Sequence, residues 1–128
     1  MSVVLVALVM ACSVGTASQY GPGVMEKVIR NRQAIKSLPI HLPPVDGYIA
    51  VYDCAHIGSV WRINNERFLV ADCAGDAHTR WWMLWYGIDI EVDYKTAVRW
   101  HSVGAGREVT VCKPLFEPPH TLEVFVKS

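Results

Sequence analysis

The sequence predicts a mainly β fold, a small barrel or sandwich carrying one or two short helices. Three observations predict it. From Gly47 onward the runs "YIAVYDC", "SVWRI", "RFLVADC", "IDIEVDY", "EVTVC" and "TLEVFVK" recur, each short and rich in Val, Ile, Tyr or Phe. Gly, Asn and Pro punctuate the intervals between them. At 128 residues, 52% of them apolar, the chain has the length of one domain with a sizeable core.

Taken in order, the first element is "MSVVLVALVMACSVGTA", residues 1–17, an uncharged apolar segment. It is shorter than a comfortable bilayer span and matches the apolar part of a secretory signal. Ala17, with Gly15 two positions earlier, satisfies the small-residue rule for cleavage. The basic residues usual before such a segment are missing, so retention as an anchor is a second reading, and a buried N-terminal strand or helix is a third. A lipoprotein pattern at Cys12 is weak, because Met10 fits it poorly. The expected location is secreted or cell envelope.

Residues 18–46 form an opening. "SQYGPG" is turn-rich, and Met25, Val28, Ile29, Arg32 and Ile35 then recur at helical spacing, predicting an amphipathic helix over 24–36. Met25, Val28, Ile29 and Ile35 are expected to pack on the β domain. Pro39, Pro43 and Pro44 stop the helix and make an extended connector. Residues 47–113 are expected to hold the β domain, and 114–128 a C-terminal strand or tail. Inside the domain, "YKTAVRWH" predicts a short helix behind a cap at Asp93. Trp61 and Trp100 are assigned to the core.

Export gives the cysteines meaning. Removal of the leader takes Cys12 and leaves Cys54, Cys73 and Cys112. Cys54 and Cys73 each follow an aspartate at the end of an apolar strand, and this matched setting predicts that they pair. Cys112 is then expected as a buried free thiol. Cys54-x-His56 and Cys73…His78 lack the tight spacing of zinc sites, so no metal and no cofactor is expected. Zero net charge and the absence of a basic patch argue against nucleic acid. "GAGRE" lacks the strand–helix context of a phosphate loop.

The segments "IAVYDC…IGSVWRI…RFLVADCAG…IEVDYKTAVRW…REVTVC" together resemble the double-psi β-barrel of rare lipoprotein A, expansins, family 45 endoglucanases and the three-aspartate domain of lytic transglycosylases. The resemblance spans roughly residues 47–112, with "SQYGPG" similar to the Tyr-Gly opening of those secreted barrels. It implies a six-stranded double-psi barrel with one or two covering helices. Asp53 resembles the first acid, Asp72 with Gly75 the second element, and Asp93 with Ala97 and Trp100 the third acid and its helix. The chain departs from the pattern in its short "CAHIG" loop and in the long interval from Asp72 to Asp93. Asp89 or Glu91 could therefore take the place given to Asp93.

Carboxylates converging in one groove raise one another's pKa, and a protonated carboxyl can donate to a glycosidic oxygen. Asp72 and Asp93 are the first candidates for catalysis, with Asp53 third. The plainer reading is that such aspartates cap turns and accept backbone N–H bonds. Whether helix or strand, "RWWMLWYG" places Trp81, Trp82, Trp85 and Tyr86 where not all the rings fit on one buried side. They are candidates for stacking on sugar rings, against a plainer role in a core cluster. The expected function is cleavage of cell-wall polysaccharide, peptidoglycan above all, by carboxylate acid/base chemistry. The alternative is a non-catalytic module of the same fold that binds a glycan or a protein. A monomer is expected, with membrane contact only through the N-terminal segment.

Overall fold

A computed structural model of the chain describes residues 9–115. Its elements in chain order are β1 (Met10–Gln19), α1 (Val24–Ala34), β2 (Gly47–Val51), a 3₁₀ turn (Cys54–His56), β3 (Val60–Ile63), β4 (Glu66–Cys73), α2 (Ala77–Tyr86), β5 (Ile90–Val92), α3 (Tyr94–Arg99) and β6 (Arg107–Pro114). The six strands close into one barrel in the order β1-β5-β2-β4-β3-β6, with β6 returning to β1. Two pairs are parallel, β1 with β5 and β2 with β4, and the remaining pairs are antiparallel.

Local chemistry explains the joints. Asn64 and Asn65 both take positive φ, 49° and 65°, and Ile63 faces Glu66. A two-residue loop of that geometry matches the right-handed twist of paired strands, so β3 and β4 form a tight hairpin. α1 ends at Ala34, and Lys36 turns left-handed at φ 63°. Phe68, Ile49, Val70, Ile63 and Val92 are almost wholly excluded from solvent in the core. Gly47 is required by close approach. A Cβ there would collide with Thr96 Oγ1 and stand 2.6 Å from Phe68 Cε1.

Several expectations change here. The barrel is not confined to residues 47–113, because its sixth strand is β1, drawn from the segment read as a leader. Its short residues zip against β6 from Met10↔Pro114 to Ala17↔Arg107. The expected strand "TLEVFVK" lies outside the described residues. Cys112 is no free thiol: Cys12 faces it across the β1–β6 ladder, and the two form a disulfide. Cys54 and Cys73 are joined as expected. In α1, Met25 and Ile29 are buried and Val28 is half-buried, but Ile35 is 72% exposed because the helix ends before it. Trp61 is buried; Trp100 is only half-buried, tilted against Phe68 with its N–H donated to Glu66 Oε1 at 3.2 Å.

Candidate functional site

The site grows from one row of paired residues. Ser18 of β1 faces Glu91 of β5, Glu91 faces Ala50 of β2, and Ala50 faces Asp72 of β4. Residues directly opposite one another project to the same face of a sheet. Glu91 and Asp72 therefore stand on one face with only the Ala50 methyl between them. At about 4.8 Å per strand, their Cα atoms lie roughly 10 Å apart.

Asp72 belongs to this row because of a bulge. Ile49 pairs with Val70, yet Ala50 pairs with Asp72, so Ala71 is the extra residue. In a regular ladder Ala50 would face Ala71, and a one-residue slip would send Asp72 to the opposite face.

Two side chains from outside the row then fix Asp72. Tyr20, just past β1, donates its hydroxyl to Asp72 Oδ2 at 2.6 Å. Arg32, from the last turn of α1, donates to Asp72 Oδ1 from Nη2 at 2.5 Å and from Nε at 3.2 Å. Arg32 Nη2 also lies 3.6 Å from Cys73 Sγ, beside the disulfide. Val28, Asn31 and Ile35 complete, with Arg32 and Asp72, an open cavity of about 260 Å³.

The electrostatics separate the two carboxyl groups. Burial, and then the negative charge of Asp72, push the Glu91 carboxyl up to about 7. Burial first, and then the bond to Asp72, push the Tyr20 hydroxyl well above its ordinary value, so it remains a donor at any ordinary pH. The cluster thus offers one carboxyl that exchanges its proton near neutrality, beside a second gripped by three donor atoms.

The other candidates fall elsewhere. Asp93 is buried as the cap of α3: Oδ1 accepts from Tyr48 N at 2.9 Å and Thr96 Oγ1 at 2.7 Å, and Oδ2 from Thr96 N at 3.2 Å. Its acceptor positions tie β2 to α3, which matches the plainer reading of that residue. Asp53 caps the 3₁₀ turn, accepting from Ala55 N at 2.9 Å. It lines a second cavity of about 320 Å³, together with His56, Trp61, Asp89 and Lys113. Asp89 there accepts from Thr16 N at 2.8 Å. Asp53 and Asp72 therefore serve different cavities.

The tryptophan segment is helical. α2 begins at an Asp76 cap, which accepts from Thr79 N at 2.8 Å, and ends at Gly87 with φ 64°. Of the helix only Met83 is buried; Trp82 is half-buried, and Trp81, Trp85 and Tyr86 are exposed. Trp81 and Trp85 stack on each other at 5.6 Å, and His78 stacks on Trp81 at 6.4 Å. Leu84 of the same helix borders the cavity that holds Asp53.

Tyr20 and Arg32 carry no local signal of this role, since they lie 52 and 40 residues from Asp72. Glu91 does carry one. It sits between buried Ile90 and Val92 on a short strand, so alternation turns it away from the core. Compared with protein-family models, curated proteins and solved structures, the chain matches none.

Proposed function

We propose that this chain is a double-psi β-barrel of an exported, cell-envelope protein that cleaves polysaccharide of the peptidoglycan class, with Glu91 as the acid/base and Asp72 as its fixed partner. The observation that carries the proposal is the Glu91 carboxyl, raised to about 7 by burial and by Asp72 on the same face. A general acid whose pKa lies near the working pH is best matched to proton transfer. The closed mixed barrel, with its two parallel strand pairs, is compatible with double-psi topology. Two disulfides suit an oxidising compartment outside the cytosol.

In this reading Glu91 gives its proton to the glycosidic oxygen as the bond from that oxygen to the anomeric carbon breaks. A hydroxyl of the same sugar then bonds to the anomeric carbon and returns its proton to Glu91. One titrating carboxyl serves both steps. Asp72, held by Arg32 and Tyr20, faces the positive charge that develops on the sugar ring.

Release of soluble muropeptides from purified sacculi tests the proposal. Glu91→Gln should remove at least 100-fold of the rate, the scale of general acid–base catalysis, and Asp72→Asn should lower it strongly. Both variants must first be shown to be folded. A folded Glu91→Gln protein with full activity, or a wild-type protein inert on sacculi and on other glycans, would sink it.

A further inference from the structure

We infer that the cavity of about 320 Å³ at one mouth of the barrel binds a short peptide with free ends, its ammonium at Asp53 and Asp89 and its carboxylate at Lys113. The inference is independent of the chemistry proposed for Glu91 and uses none of those residues.

Topology makes the mouth. The pairings run β2, β4 and β6 one way and β1, β3 and β5 the other, so three strands finish where three begin. Barrel mouths are common places for small ligands. Here Val51, Ile90, Trp61 and Val111, all buried, make an apolar floor. Asp53 lies two residues past β2 and Asp89 one residue before β5, and those two strands are neighbours. Lys113 belongs to β6, whose neighbour β3 supplies Trp61. In the closed order β1-β5-β2-β4-β3-β6, these two pairs of strands are separated by β4 on one side and β1 on the other. The acids and the lysine therefore stand on opposite walls of one mouth.

Each charge is held in place without being used up. Asp53 Oδ1 accepts from Ala55 N at 2.9 Å, and Asp89 Oδ2 from Thr16 N at 2.8 Å. The second oxygen of each carboxylate has no hydrogen-bond partner among the described residues. Asp89 fits against β1 because residue 15 is glycine: a Cβ there would stand 3.0 Å from Asp89 Oδ2 and 3.2 Å from its Cγ. Lys113 Nζ lies 5.2 Å from the centre of the Trp61 ring, a cation–π contact, and forms no ion pair among the described residues. His56 meets the edge of the same ring, 5.2 Å between centres, and adds a second basic side chain there.

That separation selects the ligand. A plain anion or a plain cation meets one attractive wall and one repulsive wall. A molecule positive at one end and negative at the other is attracted by both. A peptide with free termini carries those charges at the two ends of a backbone that spans about 3.5 Å per residue. A cavity of this size lies at the small end of ligand pockets, which suits two or three small residues, and the floor takes their apolar side chains.

The test is isothermal titration calorimetry of the full chain with trialanine, its N-acetylated form and its C-terminal amide. Trialanine should bind saturably, and blocking either end should weaken binding at least tenfold. Lys113→Gln, at an exposed position, should lose at least tenfold in affinity for trialanine and bind the acid and the amide alike. Asp53→Asn/Asp89→Asn should bind trialanine and its N-acetylated form alike. Asn keeps an oxygen for the Ala55 and Thr16 N–H groups, so this variant should hold the wild-type melting temperature; if it does not fold, Lys113→Gln decides alone. Absence of saturable binding by wild type overturns the inference, as does equal binding of free and blocked peptides. Tighter binding of the amide than of the acid marks a cation site and overturns it too. So does a Lys113→Gln protein that keeps the wild-type preference for the free carboxylate.

Discussion

Glu91 changes charge where its neighbours place it, and the sign of the consequence follows from linkage. Its carboxyl is lifted from an ordinary 4.5 to about 7, so the folded protein holds a proton that the unfolded chain has released. Between those two values each rise in pH costs the native state stability, and the contribution is fully present only below about 4.5. The denaturation midpoint of wild type should therefore fall from pH 5 to pH 8 by more than that of Glu91→Gln, which has no proton to lose there. Activity resting on protonated Glu91 should decline above about 7. Equal pH dependence of stability in the two proteins would remove the burial argument. Asp72 was legible from "FLVADC", because an acid at the end of an apolar strand needs partners. Glu91 was legible only as a stand-in for Asp93, since an aspartate before a short helix serves equally as a cap or as an acid. The contacts of Asp93 favour Glu91 in the proposed role, since Asp93 spends its oxygens on Tyr48 and Thr96.

Among elements, legibility followed how local the cause was. β4, the α3 cap and the core of α1 rest on patterns within a few residues, and each stands where alternation or helical spacing put it. The helix over the tryptophans was undecided because its exposed face is as apolar as its buried one. β1 could not be singled out by pattern. An uncharged apolar run reads alike as a leader or a strand, and only pairing with β6 distinguishes them. The junction of β2, β4 and α3 offers a direct trial of close packing. Gly47→Ala pushes a methyl into Thr96, Phe68 and Asp93 together, and overpacking with so many neighbours fixed should cost about 3 kcal/mol or more. A urea midpoint close to wild type would show that the junction yields more readily than its distances suggest.

At the scale of the molecule, two covalent ties of unequal reach hold the barrel. Cys54–Cys73 spans 19 residues of sequence and Cys12–Cys112 spans 100. On the chain-entropy model these are worth about 3 and nearly 5 kcal/mol. Cys12→Ser/Cys112→Ser should therefore lower the denaturant midpoint more than Cys54→Ser/Cys73→Ser. The reverse order would mean that the shorter loop, next to Arg32 and Asp72, organises more of the native state than its length implies. The sequence shows the 54–73 pairing but not the 12–112 one, because the longer bond depends on a strand that composition alone assigns to another purpose.

The seam between β1 and β6 sets an order of events. A ring of strands closed by the two members farthest apart in sequence cannot shut until β6 has left the ribosome, about 90 residues after β1. Until then the β6 side of β1 is unfilled and offers its open edge to whatever strand comes near. Cys12 meanwhile has Cys54 and Cys73 within reach long before Cys112 exists. A thiol kept reduced until β6 has paired with β1 meets its native partner through the completed ladder. One oxidised early is trapped with the wrong sulfur and leaves the seam unsewn. Oxidation before β6 has paired should therefore lower the yield of the closed form, and oxidation after it should not.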